Sequence, residues 1–334
     1  MNIAVLYSVP TKRATNTPYV ETDTDTTESA KEIETALAVK GATVTTHPID
    51  EDHISSISDI RADVIFNLIE WTGHDLPLAD RAFAAIEQTG IPFTGGNRHN
   101  YMMTSDKVSM KKALDAHALP TARWQLFEDP GQPIRTDFRF PVIVKPALEH
   151  CSIGLSRDSI VSGAEKLRRK VREMIRALAQ PMLIEEFITG REFQVTALEG
   201  PKGLRVLPPA EVVFDSADPN HMLTYASRWD ENDPEYKSSH MKMTHIDQPL
   251  VREMERLTRR TFEKLGFRDY TRLDIRTRGN DVLILEANSN PGISDSDDYG
   301  MTLSYKAVGW TLADFVWEIV ASAQRRGVKS HPPA

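Results

Sequence analysis

The sequence predicts a multidomain α/β fold that becomes α+β in its C-terminal part. Its 334 residues are enough for two or three domains of ordinary size. Over the first hundred residues, short apolar runs alternate with amphipathic helical stretches, which predicts βαβ units and a small parallel sheet. Further on, two strand-like runs flank the turn residues Gly279 and Asn280, which predicts an antiparallel hairpin.

In the first hundred residues, two of the expected elements are helices, and each is followed by a glycine, Gly41 or Gly90. The polar, Thr- and Asp-rich segment 13–29 is expected to be a mobile loop whose acidity serves solvation. The expected order of elements is strand 3–7, helix 28–40, strand 43–46, strand 64–68 and helix 79–89.

After residue 100 the pattern becomes less regular. Thr104, Ser105 and Asp106 are residues that cap helices, and they predict that a helix begins at Lys107. The acidic segment 215–240 has prolines and no periodicity, so we expect a long loop that closes over a site. The remaining expected elements are helices at 107–117, 164–179, 250–265 and 302–326 and strands at 140–145, 181–187 and 191–198.

Composition and charge limit the classes of function. Hydrophobic residues at 40% and charged residues at 26% are ordinary for a soluble globular protein. The net charge of −8 argues against nucleic acid as a partner, because phosphate backbones call for basic surfaces. The single cysteine, Cys151, excludes an intrachain disulfide and fits a reducing cytosol. No run approaches the roughly 20 apolar residues of a membrane span, so we expect a cytoplasmic protein without a membrane partner.

The predicted hairpin carries a set of oxygen ligands. Its register places Asp274 close to Glu286 and Asn288, with Arg272 beside them. Carboxylate and amide oxygens suit Mg²⁺ when a few protein groups hold it and substrate phosphates fill the other positions. The Asn-Pro-Gly sequence at 290–292 then turns the chain sharply and lets its backbone approach a ligand. The segment therefore predicts a site for a metal nucleotide.

The sequence contains neither a Walker loop nor a dinucleotide fingerprint, so other residues must bind the phosphates. Lys145 ends an apolar strand, where its ammonium could reach a phosphate or simply face solvent, and we weigh the two about equally. The small residues of loop 149–154 suit a backbone that folds over phosphates. Lys107 opens a helix, where anions are already favoured, although a solvated surface charge is the simpler interpretation of that lysine alone.

Together these segments resemble the ATP-grasp superfamily, and within it the D-alanine–D-alanine ligase group. The resemblance spans residues 66–292, and five motifs occur in the family's order. They read SDKVSMKKALDAHALPTARW, FPVIVKPALEHCSIG, MLIEEFITGREFQV, TRLDIR and LILEANSNPG. The resemblance implies an ATP-grasp fold with three domains: a Rossmann-like (pre-ATP-grasp) domain at 1–100, a central ATP-grasp domain at 101–188 and a C-terminal ATP-grasp domain at 189–334. The nucleotide would lie between the last two domains, and the C-terminal one would hold the metal and the substrate.

The resemblance also implies the cofactors, ATP and Mg²⁺, with two magnesium ions expected and Mn²⁺ as the alternative metal. The two lysines would hold phosphates, loop 149–154 would cover them, Glu185 and Ile188 would contact the adenine, and Glu192 would bind the ribose. The implied nucleotide contacts are Lys107, Lys145, Glu149, Cys151, Ser152, Glu185, Glu186, Ile188 and Glu192.

The remaining implied residues concern the metal and the chemistry. Arg272 would stabilise the transferring phosphoryl group or the acyl intermediate, and segment 224–229 resembles the family's tyrosine-containing lid motif. The implied metal ligands are Asp274, Glu286 and Asn288; the implied catalytic residues are Arg272, Ser152 and Arg228; and the implied substrate contacts are Gly292, Asp297 and Tyr225.

In function, the resemblance implies an ATP-dependent ligase that joins a small-molecule carboxylate to an amine. The product would be an amide, a peptide or an imine-type C–N bond, formed through an acyl phosphate, and a homodimer is expected because dimers are common among the relatives.

Departures from the family pattern bear on the substrate. His150 and Cys151 replace a glycine and a serine of the phosphate loop, and Asp297 stands where the ligases have a serine that holds a carboxylate. An aspartate there would repel a carboxylate and attract an amine or guanidinium. A specialised amino-acid ligase is therefore the first interpretation. A true cell-wall D-alanine–D-alanine ligase, an ATP-grasp small-molecule kinase and a nucleotide-binding protein without catalysis are the alternatives.

Overall fold

The computed structural model describes residues 1–216 and 218–330, and its helices and strands form a mixed α/β fold with three sheets. The first sheet is parallel with the strand order β2-β1-β3, as the sequence predicted. Helices lie on it and bury their apolar sides against the buried strands. Its elements are β1 (Asn2–Ser8), α1 (Val20–Val39), β2 (Thr43–Ile49), β3 (Val64–Leu68) and α2 (Leu76–Gln88).

Helix α1 corrects the prediction of a mobile loop over residues 13–29. The helix begins at Val20, and a short 3-10 turn, Ala14–Asn16, precedes it. Two long-range hydrogen bonds hold this stretch: the Thr26 hydroxyl donates to the Ser8 carbonyl at 2.6 Å, and the Asp25 carboxylate accepts from Tyr299 at 2.8 Å. Tertiary contacts therefore outweigh the low helix propensity of threonine and aspartate.

The second sheet has the order β4-β7-β5-β6 and is antiparallel. Asp106 begins α4 as predicted, since its side chain accepts a hydrogen bond from the Val108 amide at 3.0 Å. The preceding helix, α3, was not predicted. The elements of this part are α3 (Arg98–Ser105), α4 (Lys107–Ala116), β4 (Trp124–Phe127), β5 (Val142–Pro146), β6 (Ile160–Val161), α5 (Ala164–Leu178) and β7 (Met182–Glu186).

The third sheet is antiparallel, with the order β11-β10-β8-β12-β13 and with β9 also paired to β8. Each of the three predicted segments thus contains one sheet, while the domain boundaries themselves stay a prediction. The elements are β8 (Glu192–Gly200), β9 (Gly203–Val206), β10 (Ala210–Phe214), α6 (Tyr225–Trp229), β11 (Ser239–Lys242), α7 (Gln248–Lys264), β12 (Tyr270–Arg278), β13 (Asp281–Asn288), α8 (Gly300–Lys306) and α9 (Leu312–Ser330).

Two predictions in this part are corrected. Segment 215–240 is not one long loop, because it contains α6 and the first residues of β11. The single helix predicted at 302–326 is two helices, α8 and α9. Gly309 has a φ of +81°, a left-handed conformation that cannot continue a helix, and it lies between the two.

The C-terminal helix packs back onto the first sheet. Phe315, Val316 and Ile319 of α9 belong to the same buried cluster as Ile33 of α1 and Phe66 of β3. The cluster also contains Leu198 of β8 and Tyr270 of β12, so the first and third sheets share a core. In the part of the chain that the structure describes, we find no helix long and apolar enough to cross a membrane.

Candidate active site

A cleft lies where the three parts of the chain meet, and residues predicted to act together line it. The first turn of α4, the end of β5, β7, β8 and the hairpin β12–β13 each contribute side chains. The predicted residues in its lining are Lys107, Lys145, Cys151, Ser152, Glu185, Glu186, Ile188, Glu192, Arg228, Arg272, Asp274, Glu286, Asn288 and Gly292.

The hairpin holds the predicted metal ligands in the predicted register. Asp274 pairs with Glu286 and Arg272 pairs with Asn288 across the two strands, so their side chains share one face of the sheet. The Arg272 guanidinium donates to both carboxylate oxygens of Asp274, at 2.7 and 3.0 Å. Burial lowers the pKa of Arg272, but the Asp274 carboxylate outweighs it and raises that pKa, so Arg272 is a fixed positive charge.

Glu286 lies next to Lys107 and His150. Its Oε1 atom is 3.3 Å from the Lys107 ammonium and 3.6 Å from Nδ1 of His150. Burial opposes ionisation, but Lys107 and the other nearby cations outweigh it and lower the pKa of Glu286 to about 2. Glu286 is therefore a carboxylate at neutral pH. The His150 imidazole is neutral there, because burial and the charge of Lys107 lower its pKa to about 4.

The donor set fits a hard divalent cation. Glu286 Oε1 is buried and has no hydrogen-bond partner among the residues that the structure describes, which leaves a lone pair available for a metal. Asp274 and Asn288 add a carboxylate and an amide oxygen on the same face. Within the described chain, no three His, Cys, Asp or Glu side chains form a complete cage. An incomplete oxygen set is what Mg²⁺ uses when phosphate oxygens supply further ligands.

At the other side of the cleft, Glu185 is held between two lysines. Lys145 is 2.7 Å from its Oε2 atom, and Lys111 forms an ion pair with its Oε1 atom. Burial raises the pKa of Glu185, but the two lysines outweigh burial and lower that pKa to about 2. The sequence analysis missed Lys111. Its spacing of four residues from Lys107 was a usable signal, because it places both lysines on one face of a helix.

A second buried cation, Arg276, organises the predicted adenine and ribose region. Its guanidinium donates to the Glu192 carboxylate and to the carbonyls of Ile188 and His221, each at 2.7 Å. Arg276 was not among the predicted site residues either, although Arg272, Asp274 and Arg276 alternate along one face of β12. The neighbouring Glu186 carboxylate accepts from the Arg139 amide at 2.9 Å.

Loop 149–154 is joined to the segment predicted to act as a lid. The Ser152 hydroxyl donates to the Leu223 carbonyl, and the Trp229 indole donates to the Cys151 carbonyl, each at 3.1 Å. Cys151 and Ser152 have φ values of +53° and +61°, which few residues other than glycine adopt. Burial raises the pKa of the Cys151 thiol to about 12, so it is a neutral thiol and a poor nucleophile.

Three predicted side chains do not line the cleft. The Glu149 carboxylate accepts from the Gln180 amide at 2.7 Å, although its backbone carbonyl accepts from Lys107. The Tyr225 hydroxyl donates to the Pro18 carbonyl at 3.0 Å. The Asp297 side chain is 72% exposed and pairs with Lys306 at 3.0 Å. The exposed position of Asp297 corrects the expectation that it meets the substrate.

Polar side chains that were not predicted from the sequence line the cleft near Gly292. Tyr299 donates to Asp25, and both line the cleft together with Glu70, Gln194 and Asn290. A narrow side pocket beside Gly292 is lined by Asp25 and Glu70 as well. No sequence signal could have joined Asp25 to Tyr299, because they lie 274 residues apart.

The chain matches a known family over most of its length. The family described as D-ala D-ala ligase C-terminus matches residues 114–321. An uncharacterised protein, y4sG, of Sinorhizobium fredii is 31% identical over 244 residues, which are 73% of this chain and 69% of that protein. The D-alanine–D-alanine ligase of Desulforudis audaxviator is 27% identical over 245 residues, 72% of this chain and 76% of the ligase. That of Herminiimonas arsenicoxydans is 26% identical over 307 residues, 89% and 86% of the two chains.

Solved structures share the fold at low sequence identity. The D-alanine–D-alanine ligase from Bacillus anthracis complexed with ATP superposes with a TM-score of 0.74 at 17% identity and covers 99% of both chains. The corresponding ligase from Coxiella burnetii gives a TM-score of 0.73 at 16% identity, over 99% of this chain and 95% of that one.

Proposed function

This chain belongs to the D-ala D-ala ligase C-terminus family, whose members are ATP-dependent C–N ligases with the ATP-grasp fold, and from that premise we propose that it joins two amino-acid-type substrates in a specialised pathway. ATP would phosphorylate one carboxylate, and the amine of the second substrate would displace phosphate from the acyl phosphate. The products are ADP, phosphate and an amide; an imine-type C–N bond would form instead where the phosphorylated group is a vinylogous acid, the enol form of a 1,3-dicarbonyl.

The observation that supports this proposal is the arrangement of fixed charges along one cleft. Lys145 and Lys107 supply positive charge on one side, and Arg272 supplies it on the hairpin. Glu286 has a buried oxygen that accepts no hydrogen bond from the described part of the chain. Fixed charges stabilise the transferring phosphoryl group because they need no reorganisation when charge moves.

The residues that would hold magnesium are Asp274, Glu286 and Asn288, with two Mg²⁺ ions expected and Mn²⁺ as the alternative. When bound, the metal neutralises charge on the phosphate oxygens. Arg272 would release part of its contact with Asp274 and turn towards the phosphoryl oxygens. Ser152, Cys151 and the lid segment with Arg228 would exclude water, which would otherwise hydrolyse an acyl phosphate.

An amino acid suits the end of the cleft near Gly292. Asp25 and Glu70 there offer negative charge for an ammonium group, whereas Arg228 and Arg272 offer positive charge for a carboxylate. The His150 and Cys151 replacements in loop 149–154 lie in the same cleft. The charged side chains suit any amino acid, and the two loop replacements are what support a substrate other than a pair of D-alanines.

The test is ADP release measured against a panel of amino acids, singly and in pairs, with the product mass determined. We expect ADP and free phosphate only when a carboxylate and an amine are both present. A phosphorylated product without any amine requirement would instead identify a small-molecule kinase. Failure of every pair to give ADP would exclude amino acids as the substrates.

A second candidate is the cell-wall reaction itself, because the curated relatives include proteins named D-alanine–D-alanine ligase. It predicts that D-alanine alone releases ADP and gives D-alanyl-D-alanine in the same panel.

We also propose that residues 1–100, 101–188 and 189–334 form three domains, with the nucleotide between the second and the third. The protein is proposed to be a cytoplasmic homodimer that uses small molecules and neither nucleic acid nor membrane. Light scattering gives the mass in solution, and limited proteolysis with mass analysis locates the domain boundaries.

A further inference from the structure

Lys111 is buried behind the cleft and takes no direct part in the proposed chemistry. Lys111, on α4, is 0% exposed and does not line the cleft. Its ammonium forms an ion pair with Glu185 of β7, donates to the Thr121 hydroxyl at 2.5 Å and donates to the Leu285 carbonyl of β13 at 3.2 Å. One buried cation therefore contacts both sheets between which the nucleotide is proposed to lie.

The charges around Glu185 explain why a second lysine is needed. Each of its two carboxylate oxygens holds one lysine, Lys111 on Oε1 and Lys145 on Oε2. Lys145 lines the cleft and Lys111 does not. If Lys145 were the only cation next to Glu185, the pair would be neutral. The Lys145 charge at the end of β5 would then be compensated by Glu185 and unavailable to a ligand. With Lys111 present, the three groups together carry one net positive charge.

We propose that Lys111 is a positioning residue for the phosphate site: it neutralises Glu185 from behind, so that the Lys145 charge stays available to phosphate oxygens. The inference rests on the proposed binding of a nucleotide. The proposed role of Lys111 is electrostatic. The alternative is a purely packing role, in which Lys111 only joins α4 to Thr121 and to Leu285 of β13 through its hydrogen bonds. The two roles differ in what happens when the Glu185 charge is removed as well.

The test compares Lys111→Met, Glu185→Gln and the double variant. Binding of ADP and of adenosine is measured by calorimetry in EDTA, so that no metal contributes, and the readout is the ratio of the adenosine Kd to the ADP Kd. This ratio isolates the phosphate contribution even if Glu185 also affects the adenine. Lys112→Met is the matched control, because Lys112 is the exposed neighbour on the same helix.

Lys111→Met is expected to lower the ratio about tenfold to a hundredfold, the usual effect of losing one interaction with a charged group. The double variant should recover most of that loss, because removing the Glu185 charge returns the group to the one net positive charge of the wild type. Lys112→Met should leave the ratio unchanged. If Lys111→Met does not fold, Glu185→Gln carries the test, since removal of the negative charge should raise the ratio.

The outcomes separate the inference from the function on which it rests. A double variant with a ratio no higher than that of Lys111→Met would show a packing role and overturn the inference. An unchanged ratio in Lys111→Met, or an unchanged or lower ratio in Glu185→Gln, would do the same while leaving nucleotide binding intact. If wild-type protein binds neither ADP nor adenosine, the proposed function fails first and the inference fails with it.

Discussion

Single side chains in the cleft differ in how much of their bonding capacity the protein already uses. Glu185 and Glu192 are each paired with buried or nearly buried cations. Glu286 has a looser pairing: the Lys107 ammonium is 3.3 Å from its Oε1 atom, and this buried oxygen accepts no hydrogen bond within the described residues. Because an unsatisfied buried oxygen costs free energy, such an atom is expected where a ligand completes the site. Glu286 is thus the residue whose charge the proposed chemistry needs most directly.

Glu286→Gln keeps the shape of the side chain and removes its charge. We expect turnover to fall about 100- to 1000-fold, because the amide is a much weaker magnesium ligand than the carboxylate and the metal that neutralises the phosphate oxygens would be held less well. The measurement is ADP release at saturating Mg²⁺, with the melting temperature as a check on folding. Asp281→Asn, an exposed change at the start of the same strand, should have wild-type turnover. Wild-type turnover in Glu286→Gln would refute the metal assignment.

At the residue scale, the sequence predicted what lies close along the chain. Asp274, Glu286 and Asn288 were placed together because one short hairpin fixes their register. Lys111 and Arg276 were missed because a lysine on a helix or an arginine on a strand ordinarily faces solvent. Their burial depends on carboxylates 74 and 84 residues away, Glu185 and Glu192, and composition gives no sign of such a partner.

Among the elements, helices that follow from a local sequence pattern were predicted, and those that depend on contacts distant in sequence were missed. Helix α5 was predicted almost to its ends, since its charged and apolar residues alternate with a helical period. The first half of α1 lacks such a period and was missed, because its hydrogen bonds go to Ser8 and Tyr299. The break between α8 and α9 was missed because one glycine inside an apolar pattern does not by itself end a helix.

Gly309 should therefore be sensitive to substitution for a conformational reason alone. A Cβ atom there would have no heavy atom within 4 Å, yet φ is +81°. We expect Gly309→Ala to destabilise the fold by about 1 kcal/mol, the cost of a left-handed conformation for alanine. The control is Gly200→Ala, where an added Cβ would meet only the Gly203 carbonyl at an ordinary contact distance of 3.7 Å and where φ lies outside the left-handed region. Equal melting temperatures for the two variants would contradict this explanation.

The start of α9 predicts a pH-dependent contribution to stability. The Thr311 hydroxyl accepts from the Asp314 amide at 3.2 Å, and the Asp314 carboxylate accepts from the Thr311 amide at 2.9 Å, which is a capping box. Hydrogen bonds from Lys40 and Thr311 lower the pKa of Asp314 from 3.8. A depressed carboxyl pKa stabilises the folded state above the unfolded pKa and loses this effect as the pH falls through the folded pKa.

Asp314→Asn is expected to cost about 1 kcal/mol at pH 7, or roughly 2 °C in melting temperature. The difference from wild type should shrink as the pH falls below about 4. Scanning calorimetry at pH 7, 5 and 3.5 measures it. Glu263→Gln, an exposed change on α7, is the control. A difference that stayed constant down to pH 3.5 would mean that the Asp314 charge plays no part.

For the molecule as a whole, the resemblance gave the fold class, but it did not give the contacts between the parts of the chain. The apolar stripe of α9 indicated that the helix is buried, not that it packs on α1 and β3. The loop after β13 is tied to α1 in the same way, since the Asp295 amide donates to Glu32 at 2.9 Å and Tyr299 donates to Asp25. Together these contacts place the N-terminal part against one end of the cleft.

That tie suggests how the N-terminal part contributes to substrate selection. The Tyr299 hydroxyl is 2.8 Å from Oδ2 of Asp25, both residues line the cleft, and burial raises the pKa of Asp25. Tyr299→Phe removes the hydrogen bond and keeps the ring. We expect the KM of the amino-acid substrate to change about tenfold, because a bond to a charged group is lost, while the KM for ATP stays as in wild type. Steady-state kinetics with each substrate varied in turn measures both constants.

The direction of the KM change tells how Asp25 is used. If the substrate presents an ammonium to Asp25, the carboxylate freed from Tyr299 binds it more strongly and the KM falls. If Tyr299 itself bonds the substrate, the KM rises. Tyr236→Phe, a tyrosine bonded to Glu231 outside the cleft, should alter neither constant. Equal shifts in the KM for ATP and for the amino acid would mean that the contact acts on the fold as a whole and does not select the substrate.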